Sequence, residues 1–189
     1  MTNLNVTRRA AILGGVATLG AGAAIGQTTL PEEFQPRLVR LRDGFAPGEI
    51  HLDPNQFALF WTLEDRQAIR YSVGVGRPGL YESGEFTVGA KKEWPSWTPT
   101  PDMIKRNPAA YKQHENGMPG GPNNPLGARA LYLFQPGRGD TFLRIHGTNA
   151  PRTIGTAVSN GCARLTNAHI GDLYERVPLG TRVVLYAQG

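Results

Sequence analysis

The chain has 189 residues, 40% of them hydrophobic and 19% charged, which suits one globular domain and excludes a disordered acidic tail or a coiled coil. Its formal charge of +5 is spread with no Lys/Arg run longer than two, so the clustered basic stripe of a nucleic-acid binder is missing. The single cysteine, Cys162, excludes an internal disulfide and a zinc site built on several thiolates.

Met1 to Gly26 holds Arg8-Arg9, a weakly apolar run from Ala10 to Ile25, and no acidic residue. That run is short of the roughly 20 residues of a spanning helix, and Ala21-Gly22-Ala23 offers a cleavage site. Residues 1–26 are therefore expected to be an export signal, twin-arginine-like through Thr7-Arg8-Arg9, with the general secretory route as the alternative. Export to the periplasm or cell envelope follows. Residues 27–36 read as a short leader, and 37–189 as one domain. An unpaired thiol in an oxidising compartment is either a buried small hydrophobe or a reactive group.

Within the domain, alternation predicts strands. Phe57, Leu59, Trp61 and Leu63 share one parity, as do Tyr71, Val73 and Val75, and then Phe86, Val88 and Ala90. Leu131 and Leu133 precede the run Phe142 to Ile145, and Val183 to Tyr186 form the last strand. Glycine and proline clusters separate these runs. Between Glu93 and Gly127 the periodicity lapses into a loop-dominated insertion that contains Trp94 and Trp97. Its aromatic content argues for a packed loop, either filling the core or covering a site. Ile170, Leu173, Tyr174 and Val177 have helical spacing, with Asn167 as the expected N-cap and Pro178 and Gly180 at the end.

The residues that carry chemistry are His146-Gly147-Thr148-Asn149 and Ser159-Asn160-Gly161-Cys162-Ala163-Arg164-Leu165. A cysteine attacks as thiolate, and an imidazole can take its proton and later return it to a leaving amine. His146 ends one strand-like run and Cys162 opens another, so adjacent strands would bring them together. Gly161 lets backbone N–H groups approach a developing oxyanion. Arg164, two residues past Cys162, shares its face and could grip a carboxylate. His51, His114 and His169 show no ligand spacing and are read as structural or exposed.

These two segments resemble the signature of YkuD-type L,D-transpeptidase catalytic domains, a His-Gly followed by Ser/Thr-x-Gly-Cys-x-Arg. Tyr71-Ser-Val-Gly-Val-Gly76, the Trp-Pro-x-Trp-x-Pro-Thr loop, Gly-Gly-Pro-x-Asn-Pro-Leu-Gly and Val-Pro-Leu-Gly-Thr-Arg-Val183 extend the likeness to the exported Gram-negative branch. Asn160 stands where a histidine is frequent, and Ala163 where Ile or Val is. The resemblance implies a mainly β fold, a mixed-strand sandwich or barrel with a short helix after the catalytic strand. It implies Cys162 as nucleophile and His146 as general base and acid, oriented by the Gly147 carbonyl. It also implies an oxyanion hole from the N–H groups of Asn160, Gly161 and Cys162, and substrate binding by Arg164; Trp94 and Trp97 are expected beside the groove. The implied donor is a peptidoglycan tetrapeptide stem, cleaved between diaminopimelate and D-alanine, with no metal or organic cofactor. The acyl group would pass to an amine, as a 3→3 crosslink or an anchored envelope protein.

Alternatives on the same site are an L,D-carboxypeptidase or endopeptidase; a different class is a non-catalytic envelope-binding protein. A sortase-like enzyme would place its histidine much farther upstream, and a papain-type peptidase would place cysteine before histidine.

Overall fold

The structure is a computed structural model that describes residues 30–189; the expected export signal and the first three residues of the leader, 27–29, lie outside the described residues. Eleven strands are present among the described residues: β1 Arg37–Arg40, β2 Ile50–Asp53, β3 Ala58–Thr62, β4 Gln67–Ser72, β5 Val75–Gly76, β6 Gly84–Glu93, β7 Arg129–Gln135, β8 Gly139–His146, β9 Ala157–Ser159, β10 Ala163–Arg164 and β11 Arg182–Leu185. The helices are α1 Pro101–Arg106, α2 Pro108–Tyr111 and α3 Asn167–Arg176. Nine strands form one mixed sheet in the order β1-β4-β3-β2-β11-β6-β7-β8-β10, and β5 pairs with β9 in a small ribbon. Most pairs are antiparallel, whereas β11–β2, β10–β8 and β5–β9 run parallel.

Alternation explains which face is buried. Ile50 and Leu52, Leu59 and Trp61, Phe86 and Val88, Leu131 and Leu133, and Val183 and Leu185 all turn into one core. Helix α3 lays Ile170 and Leu173 against that core, and Val177 follows just past its end. The sheet curls on itself: Gly74, just after β4, exchanges backbone hydrogen bonds with Arg164 of β10 at 2.9 and 2.8 Å. The mainly β fold with a helix directly after β10 therefore agrees with the expected architecture.

Two local expectations need correction. The parity of Phe86, Val88 and Ala90 breaks at Gly89, where β6 bulges and Ala90 shifts to pair with Tyr132. A Cβ on Gly89 would lie 2.3 Å from the Phe134 ring, so the bulge needs glycine. The N-cap of α3 is Thr166, whose hydroxyl accepts from the His169 N–H at 3.2 Å. Asn167 is the first helical residue instead, and its Oδ1 accepts from the Ala128 N–H at 2.9 Å. The loop-dominated insertion also holds two short helices. Thr100 and Asn107 cap α1 and α2, each with proline at the first helical position.

The C-terminus of α3 is fastened by β6. Lys91 Nζ donates to the carbonyls of Tyr174 at 2.6 Å and Val177 at 2.7 Å, and sits 4.2 Å from the Tyr174 ring centre. A cation there meets unpaired carbonyls and the negative end of the helix dipole. Lys91→Met is expected to cost about 2 kcal/mol, lowering the thermal midpoint by about 5 °C in a calorimetric scan. An unchanged midpoint would show that the contact contributes nothing.

Candidate active site

Strand β10 lies parallel to β8 with Ala163 opposite Ile145 and Arg164 opposite His146. Facing residues of a parallel pair point to the same side of the sheet. Ala163 and Ile145 turn into the core, so Arg164 and His146 turn to the other side. Arg144, two residues earlier on β8, shares that side, and Cys162, just before β10, continues the alternation to it. Fifteen residues of intervening chain thus return the nucleophile candidate to the base candidate.

His146 is 5% exposed, and its Nδ1 lies 2.6 Å from the Gly147 carbonyl oxygen. A carbonyl can only accept, so Nδ1 carries the proton and Nε2 keeps a free lone pair. Burial pushes this imidazole down to about 4; the Gly147 carbonyl opposes the shift, and the Arg164 and Arg144 charges reinforce it. Around neutral pH the ring is a neutral base.

Cys162 is partly exposed. Its thiol donates to the Phe142 carbonyl over 3.8 Å, and no hydrogen bond joins it to His146 among the described residues. Burial pushes the Cys162 thiol up, against the Arg144 amide and the positive charges of Arg144 and Arg164. The resting pair is a thiol beside a neutral imidazole.

Around Cys162 the backbone is tightly shaped. Gly161 has φ +125°, and a Cβ there would come within 2.8 Å of the Leu80 carbonyl, so no other residue fits without a shift. Its N–H donates to Ser159 Oγ at 3.3 Å, and Ser159 Oγ donates to the Cys162 carbonyl at 2.7 Å. The N–H groups of Asn160 and Cys162 have no partner among the described residues. Two of the three expected oxyanion donors are therefore unengaged, while the third is turned to serine.

Arg164 is half-buried. Its Nη2 reaches the Thr153 carbonyl at 3.5 Å, its guanidinium packs against Gly74, and its Nε has no partner. Asn160 directs its side chain into the insertion, donating to the Tyr111 hydroxyl at 2.9 Å and accepting from Arg106 at 3.3 Å. Trp97 packs edge-on against Tyr111 and His114. Trp94 is 45% exposed, and its backbone N–H donates to the Ala128 carbonyl. The insertion thus meets the catalytic loop through Asn160. Of the other histidines, His51 is held by Tyr186 and Glu49, and His169 by Gln35. A concavity of about 550 Å³ lined by Arg42, Phe45, His51, Phe60 and Tyr186 lies elsewhere, along β2 and β3.

Sequence reasoning missed the segment of β8 that faces the thiol. Between the pairs Tyr132–Arg144 and Phe134–Asp140 the strand bulges, and Phe142 takes φ +62° while remaining 71% exposed. Asp140 closes the bulge, accepting from the Phe142 N–H at 2.9 Å and from Arg144 at 2.6 and 2.8 Å. Arg144 also lies 3.9 Å over the Tyr132 ring. The turn that precedes the bulge, Gly137-Arg138-Gly139-Asp140, carries no sequence signal of it.

The buried His146 makes the fold acid-sensitive. Its imidazole titrates near 6.5 when unfolded and near 4 when folded, so between those values the unfolded chain binds more protons. Stability is therefore intact above about 6.5 and lost as pH falls towards about 4, by about 3 kcal/mol; buried His169 adds in the same direction. In urea titrations from pH 7 to 4, His146→Gln should flatten much of this loss. An unaltered slope would contradict it.

The family model of the L,D-transpeptidase catalytic domain, YkuD, matches residues 47–185. A Fuscovulum blasticum protein bearing an L,D-transpeptidase name is 36% identical over 94% of this chain and 96% of its own length. YbiS of Escherichia coli (strain K12), also named an L,D-transpeptidase, is 44% identical over 59% of the chain, which spans only 35% of that protein. A crystal structure from Brucella melitensis, titled a carnitine operon oxidoreductase, is 48% identical over 83% of this chain and 96% of that one, with TM-score 0.57. L,D-transpeptidase 3 from Mycobacterium tuberculosis, at 17% identity over 73% of this chain and 60% of that one, shares the fold with TM-score 0.54. With a family model spanning β2 to β11 and a near-full-length relative, the chain belongs to the L,D-transpeptidase catalytic domain family.

Proposed function

We propose that this protein is an exported peptidoglycan L,D-transpeptidase that works through a Cys162 thioester. The observation that carries this reading is the 2.6 Å contact of His146 Nδ1 with the Gly147 carbonyl: with Nδ1 donating there, the Nε2 lone pair is left for Cys162, the residue just before the strand that pairs with His146.

Nε2 takes the Sγ proton as sulfur bonds to the carbonyl carbon between diaminopimelate and terminal D-alanine. The oxyanion forms against the free N–H groups of Asn160 and Cys162. The C–N bond then breaks, and the imidazolium gives its proton to the departing amine of D-alanine. An incoming amine attacks the thioester, Nε2 accepts its proton, and the new amide leaves as the thiol is restored. Water in place of the amine yields a tripeptide, which is the carboxypeptidase outcome. A protein amine gives anchoring to the wall.

Arg164, oriented by Thr153 and Gly74, supplies fixed positive charge beside the site for a stem carboxylate. The tryptophan-bearing insertion borders the groove, coupled to it by the Tyr111–Asn160 contact. The chain's likeness to transpeptidases and its acid-free, arginine-led first 26 residues support the envelope as the place of action.

The test is product analysis. Incubated with disaccharide-tetrapeptide, the protein should release D-alanine and yield crosslinked dimers, with tripeptide as the hydrolytic by-product. Folded protein that leaves tetrapeptide and pentapeptide stems unchanged would favour the binding-protein reading instead.

A further inference from the structure

Phe142 combines three features that each carry a cost. It is a bulky residue at φ +62°, a region that such side chains rarely adopt. It is 71% exposed although large and apolar. It also sits at the apex of a bulge inside β8, whereas the other non-glycine residues of positive φ among the described residues lie in turns or at a strand end. A bulge needed only for shape would take glycine or asparagine at this position, and a polar side chain would suit the exposure.

The bulge is nevertheless firmly held. Asp140 accepts from the Phe142 N–H and from two nitrogens of Arg144, and Thr141 Oγ1 donates to the Leu133 carbonyl at 2.7 Å. The surroundings enforce the strained conformation rather than tolerate a loose one. The Phe142 carbonyl is 3.8 Å from Cys162 Sγ, and a reacting carbonyl carbon must approach that sulfur to about 3–3.5 Å. Any acyl donor seated for attack therefore passes beside Phe142. Its ring is solvent-facing before the donor arrives and has area to gain from contact with it.

We infer that Phe142 is a donor-positioning residue: its exposed ring forms an apolar wall for the aliphatic side chain of the residue whose carbonyl Cys162 attacks. This rests on the acyl-transfer reading above and adds a specificity element to it. Donors with a hydrocarbon side chain at the attacked residue are preferred over those with glycine there. Because the thiol is held by the Phe142 backbone and not by its side chain, small reagents that need no positioning are indifferent to the ring.

The experiment uses the full chain and three variants, Phe142→Ala, Phe142→Tyr and Phe142→Gly, with two probes of Cys162. Disaccharide-tetrapeptide reports positioned acylation, and iodoacetamide reports the bare thiol. Phe142→Ala should raise KM for the tetrapeptide about tenfold, the scale on which aromatic contacts act, while kcat and the alkylation rate stay within about twofold. Phe142→Tyr should restore KM. Phe142→Gly should raise the thermal midpoint, because it relieves the strain. An unchanged KM in Phe142→Ala overturns the inference. So does a parallel fall in acylation and alkylation, which would make the ring a support of the bulge, and so does a midpoint lowered by glycine. Wild type that alkylates but never acylates would overturn the acyl-transfer reading itself, and this inference with it.

Discussion

Cys162→Ala should abolish acyl-enzyme formation, and His146→Gln should slow it by about 10²–10⁴-fold, the range supplied by one positioned general base. The two residues act as one unit, so the double variant should be no worse than Cys162→Ala alone. The physical reason lies in the resting state. Burial raises the thiol and lowers the imidazole, so hardly any thiolate is present until the proton moves to Nε2 during attack. The same state predicts that alkylation of Cys162 climbs through the alkaline range instead of levelling off near neutrality. Measured acylation rates for the three variants check the first statement. A His146→Gln variant within about threefold of wild type would remove the imidazole from the mechanism.

Gly147→Ala should reduce kcat/KM by about 100-fold and stability by about 2 kcal/mol. A Cβ at this position would lie 2.3 Å from Asn167 Oδ1 and 3.0 Å from the Ala128 nitrogen. Those two atoms are themselves bonded at 2.9 Å and tie the start of α3 to the entry of β7. The added methyl must break that tie or move the Gly147 carbonyl, which holds the His146 tautomer at 2.6 Å. Either displacement tilts the imidazole away from the face it shares with Cys162. Kinetics and a thermal scan of the variant check both effects. A variant with native kinetics and midpoint would show that the loop yields freely.

The neighbourhood of Cys162 and His146 is legible from sequence because β8 and β10 are adjacent parallel strands, so strand ends alone place the pair. The core strands are legible for a similar reason: alternation has period two, and it persists wherever no bulge interrupts it. Gly89 and Phe142 interrupt it, and neither change of register has a local signal strong enough to read. Thr166 and Asn167 are both favourable caps, and the choice between them is made by Ala128, 39 residues away in sequence. The short helices of the insertion were marked by Thr100-Pro101 and Asn107-Pro108, cap-then-proline pairs hidden within a proline-rich stretch. Asn160 illustrates the remaining limit. Its departure from a frequent histidine was visible, but its engagement with Tyr111 and Arg106 depends on contacts that only the folded chain brings together.

The most direct measurement is intact-protein mass spectrometry of the chain incubated with disaccharide-tetrapeptide, followed by peptide mapping. The account predicts one stem-sized adduct with the mass of D-alanine missing, located on Cys162 and absent from Cys162→Ala. An adduct on another residue, or turnover by Cys162→Ala, would contradict a mechanism carried by this thiol.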